Sequence, residues 1–313
     1  MAPKKGRKNR NVINGWLALD KPYGITSNDA LGKIKRILHP QKVGHAGTLD
    51  PRASGCLPIA FGEATKTVSY VMDGRKVYQF EVTWGVETTT DDTEGEVVST
   101  SDERPTRQAI ELALPEFVGT IMQVPPIYSA IKVDGERAYD LARDGEKVEL
   151  EARPIDVHRL ELVECSDENR AVFEAECGKG TYVRSLARDL GRRLGSYGHV
   201  TTLRRLLVGP FDEEDMITLD ELTAAAEALE EGQGIEDLVA QFVLPVRDAL
   251  ENLVEIEMSS DDAAKIRRGM QVLLRGRSAP IATESAVAIH AGVPVALGSV
   301  AAGRFQPNRV FNL

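Results

Sequence analysis

The alternation of apolar and polar residues predicts strands in several parts of the chain. The clearest is 76–84, where Tyr78, Phe80, Val82 and Trp84 alternate with polar residues, a period of two that is typical of a strand with one buried face. Further strands are predicted at 13–20, 155–164, 171–177, 253–258, 270–274, 286–290 and 293–300. Because long helices do not alternate regularly with these strands, the pattern disfavours a doubly wound parallel sheet.

Helices are predicted where apolar residues recur three or four positions apart. Ser27 is predicted to cap a helix whose apolar residues Ala30, Leu31, Ile34 and Leu38 share one face. The other predicted helices are 106–118, 181–194, one that begins at the capping box 218–221, and a short one at 260–268.

The predicted elements divide the chain into an arm and two domains. Residues 1–12 are basic and predicted to be disordered, residues 13–250 form the large domain, and residues 251–313 form a small β-rich domain. No run of 18 uncharged apolar residues is present, and the basic N-terminus lacks the apolar run of a secretory signal. The sequence therefore predicts no contact with a membrane.

The three cysteines, Cys56, Cys165 and Cys177, are too few and too scattered for a disulfide framework or a zinc site. So few cysteines, without a disulfide pattern, are typical of proteins in a reducing compartment, so we expect the protein in the cytoplasm.

The net charge of −10 argues against nucleic acid as a partner, but the charges are segregated. Residues 1–60 hold 11 Lys and Arg against 3 Asp and Glu, and both 179–209 and 263–313 hold 7 against 1. Residues 211–262 hold 1 against 17. The basic blocks could line one track for a polyanion, or they could neutralise acidic neighbours across the fold.

A glycine-rich segment at 44–55 is the first candidate for chemistry. Three glycines, a proline and small residues predict a tightly shaped loop rather than a regular element. Asp50 lies inside this loop and is followed by a proline that keeps it extended. The alternative is an ordinary Asp-Pro turn with no chemical role.

Arg184 is the second candidate, because its position in a helix is unfavourable. It lies in the first turn of the predicted helix and off the apolar stripe, where the helix dipole disfavours a cation. A buried carboxylate would explain its presence, whereas the alternative is a solvated surface arginine.

The motifs of metal, phosphate-loop and dinucleotide sites are absent from the sequence. The five histidines lack metal-site spacing, and 178–181 fails the phosphate-loop pattern because no glycine stands at 173 or 174. No G-x-G-x-x-G follows a predicted strand. We therefore expect no cofactor and no metal, and an enzyme here would work with side chains alone.

Three motifs in the same order as in a known family make the sequence recognisable. They are GWLALDKP at 15–22, GHAGTLDP at 44–51 and KGTYVR at 179–184, supported by KVY at 76–78, PPIYSA at 125–130 and LRRL at 203–206. Together they closely resemble the bacterial TruB family of tRNA pseudouridine synthases. The resemblance covers most of residues 13–210.

The resemblance implies roles for single residues. Asp50 matches the catalytic aspartate, Arg184 the arginine that pairs with it, and Tyr78 the tyrosine that stacks on the target uracil and is linked to proton transfer. The residues that match substrate-binding positions are His45, Tyr78, Tyr182 and Leu203. A guanidinium beside the carboxylate would keep it charged in a dry pocket, which gives Arg184 a reason for its position.

The implied activity is isomerisation of uridine to pseudouridine in the T-loop of tRNA, with a flipped-out base and no cofactor. The resemblance also implies a mixed, largely antiparallel sheet with flanking helices, an α/β fold of α+β type, followed by a small PUA-like RNA-binding domain. We expect a monomer whose partner is the T-stem-loop of tRNA. The alternatives are a non-enzymatic tRNA-folding factor and a guide-RNA-dependent synthase.

If the basic blocks contact RNA phosphates, affinity for tRNA must fall steeply as salt rises, because binding releases counterions. Titrations of tRNA between low and moderate salt measure this slope. An affinity that stays flat would contradict a basic RNA-binding face.

Overall fold

The computed structural model describes residues 10–129, 131–133, 136–137, 150–276 and 280–313. The strands are β1 (Gly15–Lys21), β2 (Val43–His45), β3 (Ser54–Phe61), β4 (Lys76–Trp84), β5 (Val86–Thr88), β6 (Val97–Thr100), β7 (Gly119–Gln123), β8 (Lys132–Val133), β9 (Glu136–Arg137), β10 (Arg153–Asp167), β11 (Arg170–Cys177), β12 (Gly198–Val208), β13 (Met216–Thr218), β14 (Val254–Glu257), β15 (Val272–Leu273), β16 (Thr283–His290), β17 (Val293–Ala301) and β18 (Arg304–Val310). The helices are α1 (Ser27–Leu38), α2 (Val68–Asp73), α3 (Arg107–Ala113), α4 (Val183–Arg193), α5 (Leu219–Glu227), α6 (Ile235–Phe242) and α7 (Ser260–Arg267).

A large mixed sheet forms the main body, with its strands in the order β13-β1-β3-β12-β4-β11-β10-β7 and β2 paired to β3. The pairs β1–β13 and β3–β12 are parallel, and the other pairs in this sheet are antiparallel. The prediction of a mixed, largely antiparallel sheet with flanking helices is therefore confirmed. A second sheet, in the order β14-β16-β17-β18-β15, forms the β-rich C-terminal part.

Two groups of helices cover the main sheet. Val183, Leu186 and Leu190 of α4 pack with Phe80 and Phe173 on β4 and β11. Apolar residues of α1, α5 and α6 pack in the same way on β1 and β3. Among the described residues, no helix combines the length and the apolar character needed to cross a membrane.

The two sheets share part of their core. Trp16 and Phe211 pack in one cluster with Val287 of the C-terminal sheet and with Phe311, which directly follows its last strand. Alternate residues of β1 point to opposite faces, so Leu17 faces the helices while Trp16 faces this cluster. β1 is consequently buried on both faces, which explains its nearly continuous apolar sequence.

The start of α1 corrects one sequence prediction. Thr26, not Ser27, caps the helix: its hydroxyl accepts from the Asp29 amide, and the Asp29 carboxylate accepts from the Thr26 amide. Ser27 is the first helical residue, and its hydroxyl binds elsewhere, as described below. The capping box predicted at 218–221 is confirmed, with Thr218 as the cap of α5.

Several boundaries also differ from the predictions. The helix predicted at 106–118 ends at Ala113 and continues as a 3₁₀ turn, and α4 begins at Val183 rather than at 181. β18 was missed, because Pro307 and polar residues interrupt its apolar pattern. Residues 1–9 of the predicted basic arm lie outside the described residues. At the end of that arm the Asn11 amide donates to the His39 carbonyl, so the prediction of disorder is wrong at Asn11.

Gly55 is required where β3 meets β12. Its φ is +99°, and a Cβ at this position would lie 2.2 Å from the Arg205 carbonyl oxygen. Gly292, in the turn between β16 and β17, also has a positive φ (+78°), but a Cβ there would meet no atom within 4 Å.

We therefore expect Gly55→Ala to destabilise the protein more than Gly292→Ala. The positive φ costs roughly 1–2 kcal/mol in both variants. The collision in Gly55→Ala adds roughly 1–3 kcal/mol. Chemical denaturation of both variants measures the difference, and equal losses would contradict the close approach of β3 and β12.

Candidate active site

Asp50 lies in the loop between β2 and β3, and hydrogen bonds from outside this loop fix its neighbours. The Ser27 hydroxyl donates to the Leu49 carbonyl and accepts from the Leu49 amide, both at 2.9 Å. The Gly24 amide donates to the Pro51 carbonyl at 2.8 Å. The residues on both sides of Asp50 are thus held by α1 and by the turn before it.

The Asp50 carboxylate forms an ion pair with Arg184 of α4. Arg184 Nη2 lies 2.9 Å from Asp50 Oδ2, which is the distance of a charge-assisted hydrogen bond. The Arg184 side chain is 7% exposed, whereas the Asp50 side chain is 40% exposed. The carboxylate is therefore oriented from its inner side and remains accessible to a ligand from its outer side.

Arg184 is itself held by three further groups. Nη1 donates to the Thr90 carbonyl at 3.1 Å, and Nη2 donates to the Tyr128 carbonyl at 3.0 Å. Asp92 is a second, more buried carboxylate, with Oδ2 3.6 Å from Nη1 and a side chain that is 10% exposed. These contacts fix the plane of the guanidinium, so it can direct the carboxylate of Asp50.

The ion pair lies in the wall of a cavity of about 340 Å³, within the range of small-molecule sites. His45, Asp50, Asp92, Tyr128 and Arg184 contribute to its wall. Three of the six site residues predicted from the sequence, His45, Asp50 and Arg184, therefore meet in one cavity. Leu203 borders an adjoining recess together with Asp50 and Arg184.

The environment of His45 keeps its imidazole neutral. Burial lowers its pKa, and the charge of Arg205 lowers it further. Its Nδ1 is buried and has no hydrogen-bond partner within the described part of the chain. The ring is therefore an uncharged polar group in the wall of the cavity, with an unused nitrogen.

The two predicted tyrosines lie near the ion pair but are not in the wall of the cavity. Tyr78 is half-buried near the start of β4, and burial raises the pKa of its phenol. Tyr182 is the residue that precedes α4; burial raises the pKa of its phenol, while the charge of Arg184 opposes the rise. The charge of Asp50 raises the pKa of both phenols further.

Asp92 is a site residue that the sequence analysis missed. Its Oδ1 accepts hydrogen bonds from the Thr90 hydroxyl and, at 3.0 Å, from the Glu94 amide. The signal that could have found it is the run TTDDTEG at 89–95 directly after β5, where short polar residues are too dense for a strand.

The same turn is held to α4 by a row of arginines spaced four residues apart. Arg188 Nη1 lies 3.0 Å from Asp91 Oδ2, and both side chains are buried. Arg192 donates through two nitrogens to the Glu87 carboxylate. Burial raises the pKa of Asp91 to about 6, and the charge of Arg188 opposes that rise.

The basic block at 179–209 is therefore largely neutralised within the fold. Six of its seven cations lie within 4 Å of a carboxylate, namely Lys179, Arg184, Arg188, Arg192, Arg193 and Arg204. For this block the alternative of internal neutralisation is correct. By contrast, Arg10, Lys35 and Lys42 border a cleft of about 620 Å³ whose wall holds no carboxylate among the described residues.

Lys21 is a second missed residue beside the site. It is completely buried, and its Nζ donates to the carbonyls of Pro22 and Ile25. Burial lowers its pKa to about 8, while the charge of Asp50 raises it. Its ammonium group therefore adds positive charge behind the carboxylate.

No group of three or more histidine, cysteine, aspartate or glutamate side chains suited to a metal ion occurs among the described residues. The chemistry that this geometry offers is that of an oriented carboxylate beside a cavity for a small planar group.

Comparison with known proteins identifies the family. Residues 35–183 match the N-terminal domain of the TruB family pseudouridylate synthases, and residues 184–251 match the C-terminal domain of tRNA pseudouridylate synthase B. The chain belongs to the TruB family and is a pseudouridine synthase, an enzyme of the isomerase class.

Relatives match along nearly the whole chain. The tRNA pseudouridine synthase B of Bradyrhizobium diazoefficiens is 57% identical over 98% of this chain and 88% of its own length. That of Brucella ovis is 51% identical over 98% of each chain. A crystal structure of a Cbf5–Nop10–Gar1 complex contains a chain that is 27% identical and superposes with a TM-score of 0.75, covering 96% of this chain and 86% of that one.

Proposed function

We propose that this pseudouridine synthase isomerises the uridine of the T-loop in tRNA, with Asp50 as the nucleophile and the target base flipped out of the RNA. The ion pair of Asp50 and Arg184 in the wall of the cavity is the observation that carries this proposal. The relatives named tRNA pseudouridine synthase B support tRNA as the substrate class. We further propose that it acts as a monomer in the cytoplasm.

The reaction needs a charged carboxylate and no outside reagent. The N1–C1′ bond of uridine breaks, the uracil turns, and C5 bonds to C1′ while a proton leaves C5 and another is gained at N1. Attack at C1′, attack at C6 and a route through a glycal all begin with the charged carboxylate. Arg184 holds that carboxylate through a charge-assisted hydrogen bond of 2.9 Å, and both residues contribute to the wall of the cavity.

The target base must leave its stack to reach Asp50, at a cost of a few kcal/mol. Stacking on a tyrosine returns about 1–3 kcal/mol. In this proposal Tyr78 supplies that face and takes part in proton transfer, while His45, Tyr182 and Leu203 contact the nucleotide. Tyr78 does not line the open cavity, so contact with its ring requires the uracil to reach beyond the space that is now open.

Binding of the RNA phosphates requires basic side chains that are not paired with carboxylates. The cleft bordered by Arg10, Lys35 and Lys42 meets this need, and β2 runs from it directly to His45 in the catalytic cavity. Phosphate contacts of this kind position RNA without reading its sequence. We propose that the PUA-like segment 251–313 supplies further contacts through its basic residues.

We expect Asp50→Asn to abolish pseudouridine formation while tRNA binding remains, because the amide keeps the shape of the side chain but cannot act as a nucleophile. The measurement is nucleoside analysis of an unmodified T-stem-loop RNA after incubation without added cofactor. Binding of the same RNA is measured in parallel.

Asp73→Asn is the matched control, because Asp73 is an exposed aspartate paired with Lys179. It should leave turnover unchanged. Turnover by Asp50→Asn above about 1% of wild type would remove Asp50 from the mechanism, given that nucleophile losses commonly reach several orders of magnitude. Absence of product with wild-type protein would favour a non-enzymatic tRNA-folding factor.

A further inference from the structure

Arg205 differs from every other cation of the block 179–209. Its side chain is 3% exposed, and no carboxylate of the described residues lies within ion-pair distance of it. A buried cation without a counter-ion is costly, and neutral acceptors compensate for it only in part. A residue such as methionine would fill the same space without this cost, so the guanidinium itself needs an explanation.

The hydrogen bonds of Arg205 all go to the backbone around Asp50. Nε donates to the Cys56 carbonyl at 2.7 Å, Nη1 to Thr48 at 3.4 Å and Nη2 to Gly47 at 3.3 Å. Thr48 and Gly47 precede Asp50 in its loop, and Cys56 follows it at the start of β3. One planar group therefore connects the two ends of the catalytic loop.

Arg205 also lies beside Tyr78. The two residues are direct partners in the antiparallel pairing of β12 with β4, so their side chains share one face of the sheet. Burial raises the pKa of the Tyr78 phenol, and the charge of the Arg205 guanidinium opposes that rise. The other groups acting on this phenol are the Cys177 thiol and the Asp50 carboxylate.

The pairing of β12 with β3 gives Arg205 its fixed position. Its backbone lies opposite Gly55, at the close approach that only glycine permits. The strand that carries Arg205 is thus locked between the strand that follows Asp50 and the strand that carries Tyr78.

We propose that Arg205 is a positioning residue for pseudouridine formation: from one buried guanidinium it sets the loop that carries Asp50 and the hydroxyl of Tyr78 relative to each other. This inference rests on the proposed function, because it gives Asp50 and Tyr78 their roles in the reaction. Arg205 touches neither the substrate nor the reacting atoms in this account.

The test compares Arg205→Met and Arg205→Lys with Arg204→Met. Methionine removes the charge and the donors, whereas lysine keeps the charge but cannot bridge three carbonyls. Arg204 is the matched control, since it precedes Arg205 on β12 and its guanidinium pairs with Asp20 and Glu213 instead. The readouts are the single-turnover rate with tRNA, tRNA affinity, the pH profile of the rate, and thermal melting.

We expect both Arg205 variants to bind tRNA as wild type does and to react roughly 100-fold more slowly, as is typical when reacting groups are misplaced by about 1 Å. In Arg205→Met the alkaline limb of the rate profile should move to higher pH, because the phenol loses a neighbouring cation. In Arg205→Lys the limb should stay closer to that of wild type.

A merely structural role would lower the melting temperature without moving the pH profile. Folded Arg205→Lys that reacts as fast as Arg204→Met would overturn the proposal, as would an unchanged alkaline limb in Arg205→Met. If Arg205→Met does not fold, the proposal is tested by the rate of Arg205→Lys by itself. Failure of wild-type protein to form pseudouridine would instead overturn the proposed function.

Discussion

The ion pair between Asp50 and Arg184 is the interaction on which the site depends. A carboxylate on a loop could point in many directions, and the guanidinium at 2.9 Å limits it to one. The two charges have unequal exposure: the cation is almost fully buried and the anion is partly open to solvent. The carboxylate is thus oriented from its buried side and stays partly accessible from the cavity.

Helix α4 packs on the core with one face and carries the arginines of the site on the other. The apolar stripe of the helix packs on β4 and β11, which leaves Arg184, Arg188 and Arg192 to face the turn after β5. Arg184 and Arg188 meet the carboxylates of Asp92 and Asp91 in that turn, and Arg192 meets Glu87 of β5. The turn is thus held in place by the same helix that orients Asp50, so packing in the core and geometry at the site are coupled.

The sequence predicted the fold well where periodicity was strong. The alternation from Tyr78 to Trp84 and the capping box at Thr218 both correspond to observed elements. It failed at Ser27, where two hydroxyl residues stand side by side and only tertiary contact decides their roles. Thr26 caps α1, which frees Ser27 to hold Leu49 beside Asp50.

The site was predicted only in part, for a physical reason. Arg184 was identifiable because a cation near a helix N-terminus is locally unfavourable. Asp92 and Arg205 carry no such local signal: one lies in a polar turn and the other in a strand, and their importance arises from contacts with distant residues. Likewise, charge counts could not reveal that most cations of 179–209 are neutralised by carboxylates elsewhere in the fold.

The most direct test of this account is the single-turnover rate of pseudouridine formation in Arg184→Met at saturating tRNA. Because Asp50 would then lose its orienting partner while the RNA-binding surface stayed intact, we expect the rate to fall about 100-fold or more with unchanged affinity. A rate close to that of wild type would contradict the account, since the carboxylate would then act without the guanidinium.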